Sequence, residues 1–284
     1  MEYNYRIAGI EIAVRIPDGV NYQIGRLLRS FLAEEIYDPH EFCFSVVEEL
    51  PELELPFVIG QDSYTVHGNG KIQIRSIGSK SDPHMRVIHD NRKHHVYLKR
   101  KDYPNGITDK TILNSLALEH LAAQNNGFVF HCSYIQLGDK AILFTAPSET
   151  GKSTQASLWE THMGAKILNG DRAGIRYADG AWRAYGLPYA GSSRIFQNGS
   201  APIRAIVVLK QGQENRIRPM GPMEALRALL PEFSAHRWDP VFMDKLLNVA
   251  AGLLRDVPVY CLECRPDSEA VQLLHNTLFN EERL

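Results

Sequence analysis

Ala141–Ser153 reads AILFTAPSETGKS. The run AILF has the length and apolarity of a buried strand. After Thr145 the chain turns small and polar and closes on Gly151-Lys152-Ser153. A strand that breaks into such a loop and runs on into a helix is the build of a phosphate-binding loop. Successive backbone N–H groups cradle phosphate oxygens, the Lys reaches the terminal phosphates, and the hydroxyl after it can ligate a Mg²⁺. The following TQASLWETHM has Ala156 and Trp159 on one face of a helical pattern. Ala146 stands where a first Gly is usual, and Ala serves there if its φ is negative. The loop therefore offers Ala146, Pro147, Ser148, Glu149, Thr150, Gly151, Lys152, Ser153 and Thr154 as nucleotide contacts. Within it, Lys152 is a catalytic candidate and Ser153 a metal ligand.

The rest of the composition narrows the class. A chain of 284 residues can build one large or two ordinary cores. With 31 Lys and Arg against 33 Asp and Glu, no basic excess draws it to nucleic acid or an anionic membrane. Arg92-Lys93-His94-His95 and Lys99-Arg100-Lys101 read as solvated hairpin residues. Glu2, Glu11 and Arg15 interrupt the apolar residues of the N-terminus, so it has no signal-peptide core, and no apolar run nears the ~20 residues of a membrane span. A cytoplasmic protein is expected. The 4 cysteines are too scattered for a disulfide scaffold, and the C-x-x-C of Cys261 and Cys264 lies in a strand-like segment with no second Cys/His pair nearby.

Patterning divides the chain near residue 105. Residues 1–105 alternate as strands at Tyr5–Arg15, Lys71–Ser76, Met85–His89 and His95–Lys99, with one short helix over Asn21–Ala33. They form a β-rich accessory domain. Residues 106–284 mix helices and strands. Thr108 caps a helix running to about Gln124, and Gly127–Leu137 and the strand before the loop make a hairpin. Lys166–Asn169 is the next strand, and Ala178-Asp179-Gly180-Ala181 is a hairpin turn. The Ile203–Leu209 strand, helices over Met223–Leu230 and Val241–Arg255, the Val257–Glu263 strand and a helix from Asp267 complete an α/β domain.

Phosphoryl transfer to a hydroxyl also needs a group to take the hydroxyl proton. Asp171, just after the Lys166–Asn169 strand, is the first candidate for a general base or a Mg²⁺ ligand. His131 is a second candidate, on a strand whose alternation sends Phe130 and Cys132 to the other face. Arg194 and Arg204 read as surface residues before phosphate ligands.

The order from His131 through Lys152-Ser153 to Asp171 resembles the HPr kinase/phosphorylase group of Ser kinases, whose nucleotide domain is related to that of phosphoenolpyruvate carboxykinase. More narrowly it is similar to the HPr-kinase-like proteins of peptide-natural-product clusters, including kinases of lasso-peptide precursors. The resemblance covers about His131–Leu209. It implies an α/β P-loop domain of that type and an ATP- and Mg²⁺-dependent kinase whose acceptor is a Ser of a precursor peptide or small protein. His131 and Asp171 become site residues, and a homo-oligomer is compatible with it. HPr kinase/phosphorylase proper, a small-molecule kinase and a nucleotide-binding regulatory module are the alternatives. Two departures mark a specialised relative: Asp171-Arg172 replaces two adjacent aspartates, and Ala146 replaces a glycine.

Overall fold

Alternating burial in the first hundred residues resolves into hairpins more often than the sequence suggests. The computed structural model describes residues 1–61, 63–147, 149–189, 191 and 193–279. Contacts divide the chain into Met1–Ala117 and Leu118–Leu284.

The first unit contains β1 (Glu2–Ile7), β2 (Ile10–Arg15), α1 (Arg26–Arg29), β3 (His40–Val47), β4 (Phe57–Gln61), β5 (Tyr64–Gly68), β6 (Ile72–Gly78), β7 (Pro83–Asp90), β8 (Lys93–Lys99) and α2 (Asp109–Leu116). Its sheet has the order β1-β2-β3-β8-β7-β6-β5-β4. The single strand expected over Tyr5–Arg15 is two, because Ala8 and Gly9 both take positive φ and turn the chain between Ile7 and Ile10. An Ala at φ 52° is rare, so Gly9 alone marks the turn in the sequence. Only Arg26–Arg29 of the expected Asn21–Ala33 helix is helical. His94, expected in solvent, is buried, with its ring 3.1 Å from both His40 and His89 on the neighbouring strands.

Thr108 caps α2 as expected, with a capping box to Thr111. The helix stops at Leu116, where Ala117 is left-handed, and does not run on unbroken to Gln124. The unit boundary accordingly follows Ala117, beyond the expected 105/106. Asp109 explains this: its buried carboxylate accepts hydrogen bonds from the Tyr22 hydroxyl (2.9 Å) and the Gly25 and Leu28 N–H groups (2.9 and 3.1 Å), which binds α2 to the strand-rich unit. A Cβ at Gly25 would lie 2.6 Å from Asp109 Oδ2.

The second unit contains α3 (Leu118–Gln124), β9 (Gly127–His131), β10 (Ser133–Leu137), β11 (Lys140–Thr145), α4 (Lys152–Met163), β12 (Lys166–Asn169), β13 (Arg172–Ala178), β14 (Ala181–Gly186), β15 (Ser200–Gln211), β16 (Arg216–Pro219), α5 (Pro222–Leu229), α6 (Pro240–Asp256), β17 (Val259–Cys264) and α7 (Ser268–Phe279). Its sheet runs β12-β10-β11-β15-β14-β13-β9, and β17 pairs with β15 and β16. β10 and β11 form the expected hairpin, and Asp179 and Gly180, both at positive φ, turn β13 into β14. The stretch Gly127–Leu137 splits at Cys132, since β9 pairs with β13 while β10 pairs with β11 and β12.

AILF is apolar throughout because both faces of β11 are covered. Leu143 points into a core shared with α5 and α6 residues such as Leu229, Phe242 and Leu246. Ile142 and Phe144 point into another with Trp159 of α4 and Leu274 of α7. β11, β15 and β17 are parallel, so their carboxyl ends at Thr145, Gln211 and Cys264 share one edge. Ligands of open α/β sheets bind at such an edge.

Among the described residues no helix is long and apolar enough to cross a membrane. Cys261 and Cys264 are free and three residues apart on one strand, so their side chains point to opposite faces and cannot share a metal or a disulfide.

Candidate active site

The Ala141–Ser153 segment contains the end of a strand and the start of a helix. β11 ends at Thr145 and α4 begins at Lys152, with Gly151 as its N-cap at φ 110°. Ala146 is not among the residues with positive φ, so its methyl group is accommodated where Gly is usual; among the described residues the left-handed positions of the loop are Glu149 and Gly151. Ser148 lies outside the described residues.

Lys152 is only 9 % exposed, and its ammonium donates to the carbonyls of Ala146 (2.7 Å) and Pro147 (3.3 Å). Among the described residues it has no carboxylate partner. A buried cation held only by neutral oxygens is suited to an anion that brings the missing charge. The amino end of the twelve-residue α4 adds to this, because its first-turn N–H groups and dipole favour negative charge and no acidic side chain occupies that turn. Ser153 and Thr154 are exposed, so both hydroxyls are open to a ligand or a metal. Phosphate oxygens and a Mg²⁺ fit this donor set.

Two cavities flank the loop. One of about 640 Å³ runs from Thr145–Pro147 to Arg227 and Glu232; the other, of about 600 Å³, runs from Thr150 and Gly151 to Gln211, Cys264 and Arg265. Gln155 lines the second, where its amide donates to Cys264 Sγ at 3.3 Å.

The proposed acid/base pair comes together where β9 meets β13. Arg172 lies opposite His131 in the strand register, which brings Asp171 beside the His131 ring. His131 Nε2 is 3.7 Å from Asp171 Oδ1, and His131 Nδ1 is 2.7 Å from Glu232 Oε2. Arg172 Nε stands 3.3 Å from Asp171 Oδ2, and its guanidinium lies over the Tyr189 ring. The main chain ties this corner to the loop: the Thr145 hydroxyl donates to the His131 carbonyl (3.0 Å) and the Cys132 N–H to the Asp171 carbonyl (3.0 Å). The buried Cys132 thiol reports the charges around it. Burial, then the Asp171 carboxylate, push its pKa up, Lys152 acts the other way, and Glu232 adds a smaller upward push. The thiol therefore stays protonated and is no nucleophile.

Asn169 and Gly191, which the sequence does not single out, hold Asp171 in place. The fully buried Asn169 accepts from the Asp171 and Arg172 N–H groups at 2.8 and 2.9 Å. It also donates to the Leu187 and Tyr189 carbonyls at 2.9 and 3.0 Å. Gly191 passes so close that a Cβ there would lie 2.7 Å from Asp171 Cβ. Glu232 is 101 positions from His131, and no motif links the two. Arg204 is engaged elsewhere, donating to the Leu278 carbonyl at the end of α7, and Arg194 N–H donates to the Gly191 carbonyl.

No family model matches the chain, and no curated protein matches it. Among solved structures it is similar to the HPr(Ser) kinase/phosphatase from Coxiella burnetii, at 11 % identity and a TM-score of 0.29, over 55 % of this chain and 90 % of that one. An overlap this slight assigns neither a fold family nor a chemistry, and the functional reading rests on the loop and its surroundings.

Proposed function

We propose that the protein is a phosphotransferase, an ATP- and Mg²⁺-dependent kinase that moves the γ-phosphoryl group to a hydroxyl. The observation that carries this reading is the buried Lys152 ammonium, held by loop carbonyls at the amino end of α4 and, among the described residues, without a carboxylate partner. When ATP binds, Lys152 leaves those carbonyls for the β- and γ-phosphates, and the loop N–H groups hold the remaining oxygens. Ser153 and Asp171 would hold Mg²⁺, which when bound neutralises charge on the phosphates.

The nucleoside occupies the cavity toward Arg265, and the acceptor enters from the cavity toward Glu232, because Glu232 holds His131 beside Asp171. Asp171 takes the hydroxyl proton as the oxygen bonds phosphorus and ADP departs. The acceptor we infer is a Ser of a precursor peptide or small protein, a choice that rests on the sequence resemblance alone.

Labelled ATP offered with peptides, small proteins and small hydroxylic metabolites tests the reading. Asp171→Asn should leave nucleotide affinity within a few-fold and lower transfer by about 10²–10⁴, the range for a lost general base. Recovery with excess Mn²⁺ would make Asp171 chiefly a metal ligand. Transfer close to wild type at ordinary Mg²⁺ would remove it from the mechanism.

A further inference from the structure

Glu232 closes the single turn Leu230–Glu232 that follows α5, and its side chain is 12 % exposed against 33 % for His131. The 2.7 Å contact runs from its carboxylate to His131 Nδ1. An ionised carboxylate only accepts, so Nδ1 must be the donor. A neutral imidazole carries one N–H; with that proton on Nδ1, Nε2 presents a lone pair. That lone pair faces Asp171 Oδ1 at 3.7 Å, beyond a direct hydrogen bond. The other Asp171 oxygen lies 3.3 Å from Arg172 Nε in an ion pair. In that neutral form two acceptors face each other, at a spacing that a third group's O–H can bridge.

We propose that Glu232 is a positioning residue that locks neutral His131 in its Nδ1–H tautomer, so that His131 Nε2 and Asp171 Oδ1 together receive the acceptor hydroxyl. This deepens the kinase reading and rests on it. The hydroxyl donates into the pair, and as its oxygen bonds the γ-phosphorus its proton stays within the pair. The bond from that phosphorus to the bridging oxygen of ADP breaks. The surrounding bonds suit such a lock. Thr145 fixes the His131 carbonyl, while Cys132 and Asn169 fix the Asp171 main chain, so the ring and the carboxylate are both anchored from behind.

The tautomer can be read without any activity. In protein carrying ¹⁵N-histidine, long-range ¹H–¹⁵N correlation separates protonated from unprotonated ring nitrogens, and the His131 signals among the 11 histidines are those missing from His131→Gln. Followed upward in pH until the ring is neutral, wild-type His131 should show a protonated Nδ1. Glu232→Ala should shift it toward Nε2–H, the form that free imidazole side chains favour in water. Glu232→Gln keeps the shape but can donate as well as accept, so it should give a mixture; it serves if the Ala variant does not fold. Transfer from labelled ATP to a pool of Ser-containing peptides should fall about 10²-fold in Glu232→Ala, the scale of a misplaced reacting group, with nucleotide affinity unchanged. A wild-type ring protonated at Nε2, or a tautomer indifferent to Glu232, overturns the proposal even if transfer is robust. A ring locked at Nδ1 in a protein that transfers to no hydroxyl leaves the lock standing and removes the kinase reading.

Discussion

Replacing Asn169 by Ala should unsettle the site from beneath. The side chain makes four hydrogen bonds, two into the Asp171-Arg172 main chain and two into the Leu187 and Tyr189 carbonyls, from a fully buried position. At about 1 kcal/mol net for each, their loss costs about 4 kcal/mol if none of the partners regains water. For a unit of this size that corresponds to a fall in Tm of about 8–16 °C, at roughly 2–4 °C per kcal/mol. Differential scanning calorimetry reads the transition of the second unit. Asn169→Asp adds a control, since it preserves the acceptor for the two N–H groups but sets a second oxygen against two carbonyls, and so should also destabilise. Phosphoryl transfer should fall in both variants, because Asp171 loses the bond that fixes its main chain. A shift under about 2 °C in Asn169→Ala would refute the idea that this side chain holds the corner together.

Lys152→Ala should abolish most transfer while the near-UV circular dichroism stays native, since among the described residues the ammonium hydrogen-bonds to loop carbonyls; unchanged single-turnover transfer would remove this loop from the active site. Ser153→Ala should weaken nucleotide binding much more with Mg²⁺ present than with the metal chelated, as measured by calorimetry, and an equal loss in both would give the hydroxyl a packing role. In the first unit, hydrogen bonds from Lys101 and Lys99 hold the Asp82 carboxyl down at about 2, below its ordinary 3.8. Its stabilising contribution is therefore complete above about pH 4 and is lost as the pH falls through about 2. Asp82→Asn should flatten that part of the acid-unfolding curve, and an unchanged curve would show that the exposed ion pairs contribute nothing there.

What the sequence revealed follows from how local each signal is. The loop at Ala141–Ser153 and the caps and turns at Thr108 and Asp179-Gly180 are set by residues within a few positions of one another, and all are present in the structure. The left-handed Ala117 breaks an element where no Gly, Asn or Pro marks the break, because tertiary packing overrides an unfavourable local conformation there. Asp171 and His131 could be nominated one at a time by residue type and position. Their meeting could not, since it depends on β9 pairing with β13. Glu232 left no trace at all: an acidic residue on a short turn gains meaning only from the ring it touches.

β15 carries a consequence for how this protein can change over evolutionary time. Its first residues, Ser200–Pro202, pair with β14, and from Ile203 onward it pairs with β11 and then β17. One strand thus joins the strands bearing His131 and Arg172 to the strand that leads into Lys152. Losing or gaining a single residue between positions 200 and 208 would turn every later side chain to the opposite face and slide one half of the site along the other by about 3.3 Å. The hairpin turn at 178–181 and the loop between β15 and β16 carry no such constraint. Length variation among descendants of this chain should collect in those two places and spare β15, even where the residues within β15 are freely exchanged.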